Sequence, residues 1–597
     1  MSSFLIRNMC GIAGYAGQKN AADILFDMLA RLEYRGYDSA GIACVVGDSI
    51  VISKEKGKVS EVRKKINPEK IKSHVGVAHT RWATHGGPNQ VNAHPHASPD
   101  KMFVVAHNGI IENYAEIKSE LKEAGAVFAS ETDTEVVAHL LQRNYDGDLI
   151  EAFKKTLHKL RGSYALTALS ARHPDRILIA RNESPLLIGL AEGETYIASD
   201  APAFLPYTKK AVFLSDGDYG VVTKDGVTLY SIKSGRTVKR PAEVLTWDVG
   251  AAEKGGYHHF MLKEINEEPE AARNALTEPK EISAIAKKIA GKKRVYFVAC
   301  GTAYHAGLYA KYALEHFGIP SEAVVASEFR YSTLSTVDAE CGVIAVSQSG
   351  ETADTLAAVK GAKKKGAYVA SVVNVVGSSL ARESNDVAYT RSGPEIAVAS
   401  TKAYIGQTTL LAALSLEIAL EKNAVSKSDY ERFMAELEKI PETIKIVLDA
   451  NKVEEEAEKH ATKTTFFFIG RRQNYPTALE GALKLKEISY VHAEGYPAGE
   501  LKHGPLALLE PGVVVMTVLS ADELAPKLAS NIEEVRSRGA SVVKVGYGGD
   551  LKTPQVSPVL APIVNIVPLH LFAYYMSTLK GLDPDKPRNL AKSVTVE

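Results

Sequence analysis

Up to about Tyr230 the apolar residues come in short runs broken by turn formers: GIACVVG, SIVISKEKG, VGVAHTRW, MFVVAHNG, YALTALSA, RILIARN and YGVVTKDG. Such runs predict strands. Two stretches, near 21–33 and 132–145, read instead as helices. In the second, Val136, Leu140 and Arg143 recur at helical spacing, and Val137 and Leu141 form a matching apolar pair. Many strands with few helices imply a layered α+β domain.

The rhythm breaks between about Lys239 and Pro269, where TWDVGAAEKGGYHHFMLKEINEEPE is rich in charge, Gly and turn formers. It reads as a connection ending in a helix. From about Lys292 the pattern becomes strand–turn–helix. RVYFVAC is a buried-type strand, GTAYHAGLYAKYALEHFG a helix ending at Gly318, VIAVSQSGETADTLAAVKGAKKKG a second round, and YVASVVNVV a further strand. Continuous Val/Ile/Phe runs alternating with helices predict parallel sheets covered on both faces. After a charged helical stretch at about 428–460, TTFFFIGRRQNYPTALEGALKLKEI starts the scheme again, about 170 residues after RVYFVAC. The pattern therefore predicts two similar α/β domains in tandem, followed by a turn-rich GLDPD and an extended tail, KPRNLAKSVTVE.

Composition narrows this picture. The 597 residues suggest roughly three or four domains of about 150 residues each. Lys+Arg and Asp+Glu balance at 71 each, which supplies no electrostatic argument for nucleic acid or an anionic membrane. No run of about 18 uninterrupted apolar residues occurs, so no transmembrane helix is expected. MSSFLIRN is too short for a secretory signal. The cysteines, Cys10, Cys44, Cys300 and Cys341, show no CxxC spacing. That argues against a zinc site or disulfide framework and fits a reducing cytoplasm.

Four segments carry candidate chemistry. Ser347-Gln348-Ser349-Gly350-Glu351-Thr352 lies between a strand and a helix. In a parallel α/β fold ligands bind at the carboxyl ends of strands, and hydroxyls at a helix N-terminus suit an anion. Plain helix capping explains the same residues equally well. The Walker A pattern is absent from this loop, which favours a sugar phosphate over a nucleotide. The CGTA turn offers a second strand-end hydroxyl, Thr302. In ALEGALKLKEIS, Glu480, Lys484 and Glu487 share one helix face. This spacing suits either a solvated ion-pair stripe or a Glu–Lys pair able to move a proton between adjacent carbons. His503, in GELKHGPLALLEPG, reads by itself as a surface loop histidine.

The fourth segment is Met9-Cys10-Gly11-Ile12. A buried, inert Cys10 is one reading. The other is a nucleophile, favoured by TRWATHG with Arg81, Trp82, Thr84 and His85, by Asn108-Gly109 after the strand MFVVAH, and by Asp133 in SETDTEV. A catalytic thiol needs a base, oxyanion donors and substrate anchors. The Asn108 amide and Gly109 N–H suit the donors, an Arg suits a substrate carboxylate, and an Asp suits a substrate ammonium. Together they outline a site for an amino acid such as glutamine.

Taken in order, these motifs resemble the glutamine–fructose-6-phosphate aminotransferase (isomerizing) family, the glucosamine-6-phosphate synthases, from Met9 to Glu597. CGIAGY, LEYRGYDSAG, TRWATHG, HNGIIEN and ETDTE resemble a class II glutamine amidotransferase domain of N-terminal-nucleophile αββα fold. CGTAYH, SQSGETADT, ASTKAY, ALEGALKLKEISY, GELKHGPLAL and PRNLAKSVTVE resemble two α/β parallel-sheet sugar isomerase (SIS) domains and their tail. The domains implied are an amidotransferase domain at 10–240, a linker at 241–280, sugar isomerase domains at 281–425 and 426–585, and a tail at 586–597.

The resemblance implies that Cys10 attacks the glutamine amide with its own α-amine as base. Asn108 and Gly109 form the oxyanion hole, Arg81, Thr84, His85 and Asp133 hold glutamine, and Trp82 gates the path for ammonia. Thr302, Ser347, Gln348, Ser349 and Thr352 hold the sugar phosphate. His503 helps to open the sugar ring, Lys592 forms a Schiff base with fructose 6-phosphate, and Glu487 moves a proton between C1 and C2, assisted by Lys484. The implied products are glutamate and glucosamine 6-phosphate, with ammonia channelled between the sites. No metal and no cofactor is implied, and the implied assembly is a cytoplasmic homodimer.

Two departures from the family pattern stand out. The family begins at MCGI, whereas MSSFLIRN precedes Met9 here. An amide in place of the Cys10 amine would remove the base, so the active form is expected to begin at Cys10, through initiation at Met9 or trimming. Ala303 stands where relatives carry Ser in CGTSYH, which would cost about 0.5–1.5 kcal/mol if one phosphate hydrogen bond is lost. An enzyme with the same modules but another acceptor would be favoured by a broken amidotransferase half, and this half has its motifs. A non-catalytic sugar-phosphate sensor would leave Cys10, Glu487 and Lys592 without a role. A phosphoribosyl-transferring amidotransferase would need an acidic diphosphate-binding loop, which is not evident in the second half.

Overall fold

In the computed structural model, which describes residues 10–82, 87–245, 254–450, 452–519 and 521–593, the chain divides into two units. One is Met1–Ala252 with Ala591–Glu597, the other Glu253–Leu590.

The strand Gly11–Ala16 shows how the first unit is layered. Ile12 and Ala16 enter one apolar core, and Ala13 and Tyr15 enter another, as the two-residue period of a strand requires. The first of these cores also takes Val77, Val104, Ala165, Ile179 and Ile197, and lies between two antiparallel sheets. One sheet has eight strands, in the order Ala242–Val244, Lys210–Phe213, Leu187–Ala191, Glu194–Ala198, Gly11–Ala16, Val75–Arg81, Ser39–Val46, Ser49–Lys56. The other has seven, in the order Thr237–Val238, Gly226–Ser231, Asp218–Thr223, His173–Asn182, Gly162–Ser170, Phe103–Ile111, His96–Ala97. The helix Ala21–Leu32 covers the outer face of the first sheet through Ile24, Leu25, Met28 and Leu29. The helices Tyr114–Glu123, Glu135–Asn144 and Leu149–Lys159 cover the second. The stacking is the expected αββα arrangement.

The first unit contains more helix than its pattern predicts. Val59–Ile66, Tyr114–Glu123 and Leu149–Lys159 are helical in addition to the two expected segments. The third has clear local causes. The Asp148 carboxylate accepts from the N–H groups of Ile150 and Glu151 at 2.9 and 3.1 Å, an N-cap. Leu149, Ala152, Phe153, Thr156 and Leu157 then repeat every three or four residues and are buried.

The second unit holds two five-stranded sheets, and every strand pair in both is parallel. Their orders are Glu322–Val325, Arg294–Ala299, Cys341–Ser347, Tyr368–Val373, Asp386–Tyr389 and His492–Pro497, Thr465–Gly470, Val514–Val518, Ser541–Gly546, Leu551–Lys552. Numbered along the chain, both read 2-1-3-4-5, and in both the first strand runs into a 16-residue helix, Gly301–His316 or Asn474–Ser489. This is the tandem repeat read from the spacing of RVYFVAC and TTFFFIG. In such an order the chain leaves the first strand in one direction and returns to its other side. The loops after the first and third strands, Cys300–Thr302 and Ser347–Thr352 in the first sheet, therefore flank a crevice at the carboxyl edge.

The charged stretch after the first sheet is three helices, Lys427–Leu437, Ile440–Asp449 and Val453–His460. The segment expected as a connection does more than connect. Ala242–Val244 is an edge strand of the eight-stranded sheet. Phe260–Asn266, Glu268–Asn274 and Pro279–Ala290 are helices that place Met261, Ile265, Ala272 and Ile282 in the core of the second unit. Lys402–Glu421 is the one helix among the described residues with the length and apolarity to cross a membrane, and it is buried inside this unit.

Candidate active site

Each unit gathers one cluster of candidate residues. In the first, Cys10 directly precedes the strand Gly11–Ala16, and Arg81 ends the neighbouring strand Val75–Arg81, with Gly11 paired to Thr80. The Trp82 N–H donates to Cys10 Sγ at 3.2 Å, and the thiol lies 3.5 Å from the Trp82 carbonyl oxygen. Gly36 packs against the Arg81–Trp82 peptide, where a Cβ would lie 2.8 Å from the Arg81 carbonyl carbon and 2.9 Å from the Trp82 nitrogen. Asn108, from the other sheet, donates through Nδ2 to the Cys10 carbonyl oxygen at 2.8 Å. Gly109 follows it in the same strand. Arg35 Nε donates to the same carbonyl at 3.2 Å and is held by Asp200 at 3.2 Å, which also accepts from the Tyr34 hydroxyl at 2.6 Å. Sequence reasoning gave no role to Arg35 or Asp200, although LEYRGYDSAG contains the first.

Burial pushes the Cys10 thiol up to about 11, against the opposing pull of the Trp82 N–H and the Arg81 and Arg35 charges. The thiol is thus protonated at neutral pH and needs a base. Arg81 is buried, donates to the Gly87 carbonyl at 3.3 Å, and feels the charges of Cys10, Asp133 and Asp38. Asp133 is buried and accepts from the Ile111 N–H at 2.8 Å. The Trp82 indole meets the Tyr37 ring edge-on at 5.0 Å. The structure therefore gathers Cys10, Arg81, Trp82 and Asn108, with Gly109 beside Asn108. Thr84 and His85 lie outside the described residues, as do Met9 and the residues before it.

Behind Asn108 stands a wall of buried histidines, His79, His94, His96 and His107. Burial holds His79 at about 3 and His94 and His96 well below the ordinary histidine range; Arg81 adds to this in all three, and Lys54 adds to it at His96, where Glu135 opposes. A depressed histidine stays neutral in the folded chain, while the unfolded chain takes up a proton below about 6.5. The stabilisation is therefore complete above that value and is lost as pH falls below it. At pH 5.5 the three together should cost the first unit on the order of 3–4 kcal/mol relative to pH 7.5. Both tryptophans, Trp82 and Trp247, precede residue 253 in sequence. Unfolding followed by their fluorescence should shift to markedly lower urea at pH 5.5, and an unchanged midpoint would contradict neutral burial of these rings.

The second cluster lies on the helix Asn474–Ser489. Glu480 and Lys484 are almost wholly buried, and Glu487 lies one turn further on. Lys484 Nζ sits 2.6 Å from Glu487 Oε2, 3.4 Å from Glu480 Oε1 and 3.0 Å from Thr302 Oγ1. Thr302 in turn donates to Glu480 Oε1 at 2.9 Å, and His305 Nδ1 lies 2.7 Å from Glu480 Oε2. Burial by itself would lower the Lys484 pKa; the Glu487 and Glu480 carboxylates more than offset it and hold the ammonium above its ordinary value. Burial would raise Glu480, but Lys484 and His305 bring it down to about 2. The i, i+4, i+7 stripe is thus a buried acid–base cluster, not a solvated face. Glu480 and His305 belong to it although sequence reasoning assigned them no role.

The polar loop stands at the same edge. Ser347 ends its strand, and its Oγ accepts from the Gly350 N–H at 3.0 Å and lies 3.5 Å from Thr352 Oγ1. Ser349 Oγ accepts from the Glu351 N–H at 3.2 Å, and the 12-residue helix Ala353–Lys364 follows. Gly350 has φ +65°, and a Cβ there would meet Ser378 Oγ at 2.1 Å, so the turn requires glycine. The Gln348 carbonyl accepts from the Asn374 N–H at 3.2 Å. Cys300 is the N-cap residue of the helix that carries Thr302, and burial pushes its thiol above the ordinary value. Ala303 packs its methyl against the core.

Two further residues were expected at the sugar, His503 and Lys592. His503 is exposed at the end of the short helix Ala498–His503 and makes no hydrogen bond or ion pair with Lys484 or Glu487 among the described residues. Lys592 is half-buried in a bend and falls with the first unit. Among the described residues no group of His, Cys, Asp and Glu side chains could hold a metal ion.

Comparisons with known proteins bear on the two units separately and on the chain as a whole. Residues 79–206 match the glutamine amidotransferase domain family, and residues 288–416 and 461–545 match the SIS domain family. The chain is 47% identical over 99% of its length to the whole of the glutamine–fructose-6-phosphate aminotransferase (isomerizing) of Aquifex aeolicus. It is 48% identical over the same share to the whole of its counterpart from Thermococcus kodakarensis. Among solved structures, the C-terminal domain of glucosamine-fructose-6-phosphate aminotransferase from Francisella tularensis aligns over 56% of this chain and 100% of that domain, with a TM-score of 0.53 and 38% identity. With relatives of that name 47–48% identical along 99% of its length, and with the amidotransferase and SIS family models matching successive parts of it, the chain belongs to the glutamine–fructose-6-phosphate aminotransferase (isomerizing) family.

Proposed function

We propose that the two clusters divide one reaction: the first releases ammonia from glutamine, and the second adds it to fructose 6-phosphate and isomerises the product to glucosamine 6-phosphate. The single observation that carries this reading is the buried Glu480–Lys484–Glu487–Thr302 constellation beside the SQSGET loop, in a chain whose other unit holds a hydrogen-bonded Cys10.

In the first unit Cys10 attacks the glutamine amide. The oxyanion is met by Asn108 Nδ2 and the Gly109 N–H, a thioester forms, and ammonia leaves; water then frees glutamate. The base is the Cys10 α-amine, which requires the bond between Met9 and Cys10 to be open. Arg81 and Asp133 take the carboxylate and ammonium of glutamine, with Thr84 and His85 as further anchors, and Trp82 gates the ammonia.

In the second unit the phosphate sits on Ser347, Gln348, Ser349 and Thr352, at a helix N-terminus where the dipole favours an anion. Thr302 was expected on the phosphate as well. Its hydroxyl also bridges Glu480 and Lys484, so it ties the acid–base pair to the strand end that holds the phosphate. His503 opens the ring, Lys592 condenses with the C2 ketone as a Schiff base, and ammonia displaces the lysine. Glu487 then carries the proton between C1 and C2, with the Lys484 ammonium next to it. The sequence resemblance supports a homodimer, and the four free thiols fit a cytoplasmic setting.

The test is to incubate the protein with glutamine and fructose 6-phosphate and measure glutamate and glucosamine 6-phosphate. The two should form in equal amounts. Glutamate without amino sugar, or amino sugar from ammonia but never from glutamine, would defeat the reading.

A further inference from the structure

We propose that His79 is a positioning residue for the glutamine chemistry, holding the Asn108 side-chain amide with its nitrogen end toward Cys10. The proposal rests on the reading of Asn108 as an oxyanion donor. The two ends of an asparagine amide are nearly equal in size but opposite in hydrogen-bonding character. Turned one way Asn108 offers an N–H to a developing oxyanion; turned the other way it offers a carbonyl oxygen, which repels it.

The neighbours of His79 decide which way it turns. His79 Nε2 lies 3.0 Å from the His107 carbonyl oxygen and 3.0 Å from Asn108 Oδ1. A main-chain carbonyl only accepts, so Nε2 carries the proton. An N–H shared at that point requires the oxygen end of Asn108, which leaves Nδ2 facing Cys10, where it donates to the carbonyl oxygen at 2.8 Å. Nδ2 has two hydrogens, so one remains for the oxyanion. His79 Nδ1 is buried with no hydrogen-bond partner among the described residues, so a proton there would be buried unpaired, which favours the neutral Nε2–H tautomer.

The ring itself is clamped. It stacks on His94 at 4.1 Å and 15°, and His94 meets His96 edge-on at 4.6 Å. The His107 N–H approaches His94 Nδ1 at 3.4 Å, tying the strand of Asn108 to the same stack. His79 belongs to the eight-stranded sheet, paired with Ile12 beside the nucleophile, whereas Asn108 belongs to the seven-stranded sheet. The bond between them therefore fixes an amide of one sheet against the nucleophile strand of the other. It is also a bond the sugar half of the reaction has no use for.

The experiment compares His79→Phe, His79→Gln, Asn108→Ala and the double variant His79→Phe/Asn108→Ala, all as full chains. Phenylalanine keeps the stack on His94 and removes the N–H; the Gln Nε2–H can replace that of the ring. Loss of one oxyanion donor costs about 10²–10³ in kcat, and loss of its orientation should cost part of this. His79→Phe should lower kcat for glutamine hydrolysis about 10–100-fold with KM nearly unchanged, ammonia-dependent synthesis should stay at the wild-type rate, and His79→Gln should recover most of the loss. On the Asn108→Ala background His79→Phe should add nothing. Should Phe not fit, His79→Leu carries the same expectation. Wild-type glutaminase in His79→Phe, equal losses in the Phe and Gln variants, or losses that multiply with Asn108→Ala would each overturn the His79 role. If Asn108→Ala itself leaves glutamine hydrolysis intact, the donor reading fails, and the His79 proposal fails with it.

Discussion

Cys10→Ala should abolish glutamine-dependent formation of glucosamine 6-phosphate and leave ammonia-dependent formation at the wild-type rate. The thiol is pushed up to about 11. At pH 7.5 only about one molecule in a few thousand would carry a thiolate unaided, so the reaction relies on a base beside the sulfur. An α-amine on the same residue, with an ordinary value of about 7.7–8.0, is partly unprotonated at that pH. Removing the nucleophile leaves the oxyanion donors and anchors with nothing to add to the amide carbon, and the expected loss in kcat is on the order of 10⁴ or more. Intact mass belongs with this assay. The glutamine-active wild-type protein should begin at Cys10; full glutamine activity with residues 1–9 attached would contradict the α-amine as base. Loss of ammonia-dependent synthesis in folded Cys10→Ala would contradict two separate sites.

The second large effect is expected at Glu487. Glu487→Gln should lower synthesis of glucosamine 6-phosphate on the order of 10³-fold, with either glutamine or ammonia as the nitrogen source, while glutamine hydrolysis persists. The amide keeps the shape of the carboxylate but cannot take a proton from C1, and general acid–base catalysis is worth about 10²–10⁴. Lys484 makes the position sensitive. Its ammonium lies 2.6 Å from Glu487 and is otherwise held by Glu480 and Thr302 in a buried site. The cation stays paired with Glu480 in the variant, so the fold should survive and the loss should fall on the chemical step, in kcat more than in KM for fructose 6-phosphate. Wild-type synthesis in the variant would assign the proton transfer to another group.

Both predictions concern residues that the sequence picks out, for different reasons. Tandem strand–helix rounds are visible because continuous Val/Ile/Phe runs and Gly-ended helices repeat at a fixed distance, and the two sheets with identical strand order follow from them. The helix Leu149–Lys159 carries signals of its own, an Asp148 cap and three-and-four spacing of its apolar residues, but the strand-rich pattern around it does not point to it. The stripe Glu480–Lys484–Glu487 is a different matter. Its spacing is the same on a solvated helix, and what makes it a site is Thr302 and His305, which approach from 178 and 175 residues earlier. Periodicity carries no signal for such an encounter. The same holds for Asn108, which meets Cys10 across 98 residues, for His79, which meets Asn108 across the two facing sheets, and for Arg35, which meets Asp200 from 165 residues away. The expectation for Thr302 followed from a strand-end position that suits phosphate; its observed partners lie on a helix of the second sheet.

The central claim is that glutamine nitrogen released in one unit reaches the sugar in the other without mixing with solvent. It is tested most directly by supplying glutamine labelled with ¹⁵N at the amide, together with fructose 6-phosphate and a large excess of unlabelled ammonium, and measuring the isotope content of the glucosamine 6-phosphate by mass spectrometry. The account predicts amino sugar whose unlabelled fraction is no greater than the ammonia-dependent rate, measured without glutamine at the same ammonium concentration, supplies. Label diluted to the isotope ratio of the bulk ammonium would contradict it.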